Sequence, residues 1–357
     1  MVFDPRGVKK ILALRFRSIG DIILSFPAVE TLRSTFPTAR IDFVIDDVFE
    51  DLIHAHPSIN FLILNKRRRD GMNAAQKLWH ELKFIQKIRR QKYDLVVDLH
   101  CGPRSALLTL LSGAKYRAGN PAKLRGKLAY NLVAEPRPNK PHSTDVMLNI
   151  IRPLDPKYPK KKRLFLRYRE EDGKYVHKFL RRFDIHDRDI VIMVHPGARV
   201  DIKRLPAQKM GEIVRWLTSE LSAKIIYAGS DDDISAIADI VGHSGRPGLM
   251  ATNLTLGQLS ALIDSCDLYI GNDSGPMHMA AALGIPVVAF FGPSDPAVWG
   301  PVGTHGHAVR APKMDCMPCD HNKCRLAGQH CMAQIKVENI KRAILKTMRS
   351  ETTSKKV

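Results

Sequence analysis

Residues 267–291, DLYIGNDSGPMHMAAALGIPVVAFF, decide the fold. Leu268–Ile270 is a short apolar run of strand type, followed by the polar turn Gly271-Asn272-Asp273-Ser274-Gly275. Pro276 suits the first position of a helix, because its ring fixes the required backbone angle and its missing N–H is not needed there. The helix predicted over Pro276–Leu283 ends at Gly284, and Val287–Phe291 is again a continuous apolar run. Strand, helix and strand in immediate succession form a βαβ unit, the building block of a parallel sheet.

The same alternation extends outward in both directions. Upstream come a strand over Ile190–Val194, a helix over Lys209–Ser219, a strand over Ile225–Ala228 and a helix over Ile234–Val241. An earlier series has strands over Ile11–Phe16, Ile41–Ile45, Phe61–Leu64 and Leu95–Leu99, with helices over Phe26–Phe36 and Ala74–Arg90. In the last of these, Leu78, Leu82, Ile85 and Ile88 share one face at helical spacing. The Pro- and Lys-rich stretch RPLDPKYPKKKR, residues 152–163, separates the two series as a linker would. We therefore expect an α/β protein with domains over 1–166 and 167–336, the second opened by a helix over Glu170–Phe183. A last helix follows over Val337–Met348, then a polar, frayed tail.

Length agrees, since 357 residues suffice for two cores. No apolar run reaches the ~18 residues that span a bilayer. The opening MVFDPRGVKKILALRF reads as a first strand, because it lacks the cleavage pattern of a signal peptide. An intracellular location with reduced thiols is the resulting expectation, so the six Cys are not expected to form a disulfide framework.

The net charge of +20 is unevenly placed. Residues 1–166 hold 31 Lys and Arg against 15 Asp and Glu, and the remainder holds 25 against 21. Dense clusters such as Lys66-Arg67-Arg68-Arg69 and Lys160-Lys161-Lys162-Arg163 imply an anionic partner for the first half, or else a merely solvated basic surface. A nucleic-acid-binding protein fits the charge alone. Those two runs lack the interleaved aromatics on which bases would stack, which argues against it.

In parallel sheets ligands bind beyond the carboxyl ends of the strands. After the first strand, Asp21 is a helix cap or a general base. After Val194 come Gly197 and then Lys203-Arg204, a glycine loop with cations that suits a diphosphate. After Ile270, Asp273, Ser274 and Gly275 surround a helix N-terminus, an anion site to which His278 adds a donor one turn in. After Ala228, Asp231, Asp232 and Asp233 could meet ribose hydroxyls or simply offset a helix dipole. Cys316, Cys319, Cys324 and Cys331 cluster late, with His321 and His330 between them. The spacing of the first pair is that of a structural zinc site, and unligated thiols are the other reading.

Four segments together resemble glycosyltransferase family 9, the lipopolysaccharide heptosyltransferases. They are RFRSIGDIILSFPA at 15–28, YDLVVDLHCGPRS at 93–105, HPGARVDIKRLP at 195–206 and DLYIGNDSGPMHMAAALGIPVVAFFGPSDPAVWGP at 267–301. The resemblance covers about residues 10–348, and the late cysteines are similar to those of one subgroup. It implies a GT-B architecture, two Rossmann-like domains facing across a cleft, with the helix at 337–349 packing back on the first. It implies inverting, metal-independent transfer of heptose from ADP-heptose to the inner core of lipopolysaccharide, at the cytoplasmic surface of the inner membrane and without nucleic acid. Asp21 matches the family's proposed base. Lys203, Asp273, Ser274, Gly275 and His278, with Gly197, match the donor site, and Asp233 is the carboxylate chosen for the ribose. Asp98, His100 and Arg104 are assigned to the acceptor. One position departs from the family pattern: Leu205 stands where an aromatic is usual. A sugar-nucleotide epimerase of the same architecture, acting on free nucleotide sugar, and a catalytically dead nucleotide-binding module are the rival readings.

Overall fold

A computed structural model describes the chain except for residues 1–2, 54–55, 57–58, 65–70, 121–127, 136–140, 159–163, 304, 320–322, 327–329 and 355–357. The run Lys66–Arg69 therefore lies outside the described residues. The chain divides into two compact units, Met1–Arg163 and Leu164–Val357, three residues before the boundary expected from the sequence.

The first unit is built on β1 (Lys10–Leu14), β2 (Arg40–Asp46), β3 (Ile59–Leu64), β4 (Leu95–Asp98) and β5 (Tyr116–Ala118). All pair in parallel, in the order β3-β2-β1-β4-β5. Its helices are α1 (Ile19–Thr35), α2 (Ala74–Arg90), α3 (Pro103–Leu111) and α4 (Ser143–Ile150). Helix α1 begins seven residues before the expected start at Phe26. Most of it is buried, from Gly20 through Leu32, so it has no polar face and no helical period to betray it. It continues through Pro27, with Ser25 and Thr31 hydroxyls bonded to the carbonyls of Ile22 and Pro27.

The second unit opens with α5 (Glu170–Arg182), as the sequence predicts. Its strands are β6 (Val191–His195), β7 (Lys224–Gly229), β8 (Leu249–Thr252), β9 (Leu268–Asn272), β10 (Val287–Phe291) and β11 (Gly306–Arg310). Between them run α6 (Ala207–Glu220), α7 (Ile234–Ser244), α8 (Leu256–Asp264), α9 (Gly275–Leu283) and the single turn α10 (Pro296–Trp299). The sheet is parallel throughout, in the order β11-β10-β9-β6-β7-β8. Strands β6, β9 and β10 are buried on both faces, which is why they read as unbroken apolar runs. Helix α11 (Val337–Ser354) extends past the expected end at Met348. It packs on α6, β10 and β11, setting Ile340 and Ile344 into the core beside Val288, Phe290 and Val309.

Both strand orders are those of a Rossmann fold, complete in the second unit. In each, the strand order reverses beside the unit's first strand: between β1 and β4, and between β6 and β9. Ligands of open α/β sheets bind at such switch points.

Candidate functional site

In the second unit, the loops after β6 and β9 flank the switch point and are tied together by one buried side chain. Asn272 has no exposed surface. Its amide donates to the Pro196 carbonyl at 2.7 Å, and its oxygen accepts the Leu205 N–H at 2.9 Å. Leu205 is buried, so the position that departs from the family pattern is simply filled by an apolar side chain.

A short 3-10 turn, Asp201–Lys203, then brings Lys203 back toward β9. Its ammonium lies 2.6 Å from Asp273 Oδ2, and the Ser294 hydroxyl donates to the same oxygen at 2.5 Å. Asp273 is buried, while the Lys203 side chain keeps 29% of its surface. The carboxylate therefore fixes a cation that still faces solvent. Next to it, Ser274 is the N-cap residue of α9 but makes no side-chain cap bond, and Pro276 lies in the first turn. The N-terminal N–H groups of α9, which have no partner within the helix, and the Lys203 ammonium together favour an anion. His278 is buried in that first turn.

Beneath the loop, His195 Nδ1 and the Tyr269 hydroxyl each lie 3.4 Å from Ser274 Oγ. Burial pushes the His195 imidazole down to about 4, so it is neutral at pH 7. Gly197 is a requirement of space. A Cβ there would stand 2.8 Å from both Asp233 carboxylate oxygens and 2.9 Å from the His195 ring. Asp233 is itself buried and accepts both the N–H and the hydroxyl of Ser230, at 3.0 and 2.9 Å. Arg204 lies 3.5 Å from it and 3.4 Å from the Ala198 carbonyl. Of the three consecutive aspartates, Asp231 accepts from the Asn253 amide at 2.7 Å and Asp232 is exposed.

In the first unit, the loops after β1 and β4 flank the other switch point. The N-cap residue of α1 is Ser18, not Asp21. Asp21 stands in the first turn, where Arg15 holds one carboxylate oxygen at 2.6 Å and the Ser18 hydroxyl donates to the other at 3.0 Å. Arg15 is anchored in turn on the Leu99 carbonyl at 2.6 Å. Asp21 keeps a quarter of its side chain exposed, as a base must.

The residues assigned to the acceptor divide into two kinds. Asp98 has no exposed surface, so it does not meet a ligand directly. It accepts the N–H groups of His100 and Cys101 and the Tyr130 hydroxyl, at 2.9, 2.8 and 2.6 Å, and so shapes the loop. Burial raises its carboxyl above the usual range. His100 and Arg104 both lie against Phe16, each 5.0 Å from the ring centroid. Arg104 also pairs with Glu81 at 2.7 Å. Burial first, then the nearby Arg15 and Arg17, push His100 down to about 4.

A family model for glycosyltransferase family 9 (heptosyltransferase) matches residues 81–330. The chain belongs to that family. Lipopolysaccharide heptosyltransferase 3 of Escherichia coli is 27% identical over 292 residues, 79% of this chain and 83% of the relative. Lipopolysaccharide heptosyltransferase 2 of Escherichia coli K12 is 25% identical over 321 residues, 84% of this chain and 88% of the relative. The solved family 9 glycosyl transferase of Veillonella parvula superposes with a TM-score of 0.82 at 25% identity, over 96% of this chain and 97% of that one. The Escherichia coli ADP-heptose lps heptosyltransferase II shares the fold, with a TM-score of 0.76 at 22% identity, over 96% and 99% of the two chains. This glycosyltransferase is thus of the GT-B class expected from its sequence.

In this glycosyltransferase all six Cys are free thiols. Cys331 is buried beneath Gly292, whereas Cys316 and Cys324 are exposed. Among the described residues, no three His, Cys, Asp or Glu side chains are gathered to hold a metal ion. No helix among the described residues is long and apolar enough to cross a membrane. Sequence reasoning passed over Arg15, Asn272 and Ser294. Ser294 follows β10 by three residues, so the rule that found Asp273 would also have found it.

Proposed function

We propose that this family 9 glycosyltransferase moves heptose from ADP-heptose to the inner core of lipopolysaccharide, with inversion at the anomeric carbon. The Lys203–Asp273–Ser294 cluster beside the start of α9 carries the reading. It is a fixed cation next to N–H groups that have no partner within their helix, the chemistry that receives a diphosphate. The names of the relatives above support the sugar and the acceptor.

In the transfer, an Asp21 oxygen takes the proton from an acceptor hydroxyl as that oxygen attacks the anomeric carbon. The bond from that carbon to the departing diphosphate breaks, and ADP leaves. Arg15 holds one oxygen of the carboxylate and fixes its direction. Lys203 and the α9 N-terminus offset the charge growing on the leaving group. The basic first unit suits a phosphorylated acceptor at a membrane's anionic cytoplasmic face. The test is turnover of ADP-heptose, and of uridine and guanosine diphosphate sugars, with and without a phosphorylated heptose-core acceptor. Product only with ADP-heptose and acceptor together supports the reading. Conversion of the nucleotide sugar without acceptor would favour an epimerase instead.

A further inference from the structure

Helix α2 buries only part of the face its sequence suggests. Leu78, Leu82, Ile85 and Ile88 recur at helical spacing, yet only the second half of that stripe meets the core, where Ile85 and Ile88 pack together with Phe84. Leu78, Trp79 and Leu82 are left 62%, 59% and 55% exposed. Residues 78 and 82 are one turn apart and 79 adjoins them, so the three form a single apolar ridge on the outer side. The neighbouring α3 adds Leu107 and Leu110, 52% and 41% exposed. It leans on α2 through the Arg104–Glu81 ion pair.

The charge around this ridge is of one sign. Helix α2 carries Lys77, Lys83, Lys87, Arg89 and Arg90. Its only carboxylate, Glu81, is engaged by Arg104. The Lys83 ammonium lies over the Trp79 ring, 3.4 Å from its centroid. Lys66-Arg67-Arg68-Arg69 precede the helix in sequence. An exposed Trp between leucines, bordered by cations, is the composition of a helix that lies in the plane of a membrane interface. A protein partner would require a specific matching surface, whereas an anionic bilayer complements both the ridge and its border.

We infer that the outer face of α2, with Leu107 and Leu110 of α3, docks this enzyme on an anionic lipid surface. Leu78, Trp79 and Leu82 enter the headgroup boundary, and Lys83, Lys87 and Arg90 pair with lipid phosphates. The inference rests on the proposed function only for the choice of membrane.

The test is co-sedimentation of the full chain with vesicles of 30% phosphatidylglycerol in phosphatidylcholine, against pure phosphatidylcholine. The wild type is expected to sediment with the anionic vesicles, less so as salt rises, and its Trp emission to shift to the blue. In L78E/W79E/L82E, binding should fall at least tenfold. In K83Q/K87Q/R90Q it should fall on the order of a hundredfold, at about fivefold per cation. In W79F the blue shift should disappear while sedimentation persists. ADP affinity, which belongs to the second unit, should stay at the wild-type value in every variant. The donor reading therefore fails or survives separately. Equal sedimentation of L78E/W79E/L82E and wild type overturns the proposal, as does indifference of the wild type to lipid charge. So does a wild-type dimer in vesicle-free solution that the same substitutions dissolve, since the ridge would then belong to a second copy.

Discussion

The two switch points occupy the same place in two copies of one topology, yet they are chemically opposite. At the β6/β9 switch a buried carboxylate, Asp273, holds a partly exposed cation, Lys203, and the loops are locked by Asn272. At the β1/β4 switch a largely covered cation, Arg15, holds a carboxylate, Asp21, that keeps a quarter of its side chain exposed. In the proposed function, the more hidden partner of each pair positions the more exposed one, which acts on the ligand. The Rossmann frame supplies strand ends and helix N-termini, while the sign of the presented charge decides whether a site receives an anion or removes a proton.

The contrast can be broken most sharply at Asp21. Asp21→Asn should lower turnover by about 10²–10⁴, the usual loss of general-base help. Melting temperature should hardly change, because Ser18 and not Asp21 is the N-cap residue of α1. ADP affinity should not change either. A variant that keeps most of its turnover would return Asp21 to a structural role. Lys203→Ala tests the other member. Its ADP affinity, read by calorimetry, should fall by roughly 1.5–3 kcal/mol, about 10- to 150-fold. Unchanged affinity would break the comparison from the donor side.

Asn272→Ala probes what locks the loops. It leaves the Leu205 N–H and Pro196 carbonyl without their partner, at roughly 1–3 kcal/mol each. Thermal unfolding should then shift down by several degrees, at about 2–4 °C per kcal/mol for a unit of this size. No shift would mean that the tie contributes nothing.

Acid supplies the mildest test, because each switch point holds a histidine pushed down to about 4. Their ordinary value is about 6.5. Between those values the unfolded chain binds protons that the native chain refuses, so stability must rise with pH. The contribution is complete above about 6.5 and is lost as pH falls toward 4, by at most about 1.4 kcal/mol per unit for each histidine. His195→Gln and His100→Gln should each flatten the melting-temperature profile over that window. A steeper profile in either variant would contradict the assignment of a neutral native imidazole.

Much of this was legible because parallel strands announce themselves. β6, β9 and β10 are buried on both faces, and the loops that follow β1, β6 and β9 hold Asp21, Lys203 and Asp273. What escaped did so for physical reasons. Helix α1 is apolar almost all round, so its first turns carried no period. β5 has only three residues, and β8 buries only alternate residues, so neither shows as an apolar run. Arg15 and Asn272 act through partners distant in sequence, Leu99 and Leu205, and no spacing rule reports such a pairing. Helix α2 shows the opposite failure. Its apolar spacing was plain, but spacing alone cannot tell how much of a stripe meets the core: Ile85 and Ile88 do, Leu78 and Leu82 do not.

The seating of α11 also bears on how the enzyme is made. The first unit is complete in sequence at residue 163, so it can fold while later residues are still being translated. The second cannot finish until Ile340 and Ile344 arrive to cover Val288, Phe290 and Val309. A nascent chain that ends before residue 337 lacks the side chains that cover Val288, Phe290 and Val309, so that part of its second sheet stays open.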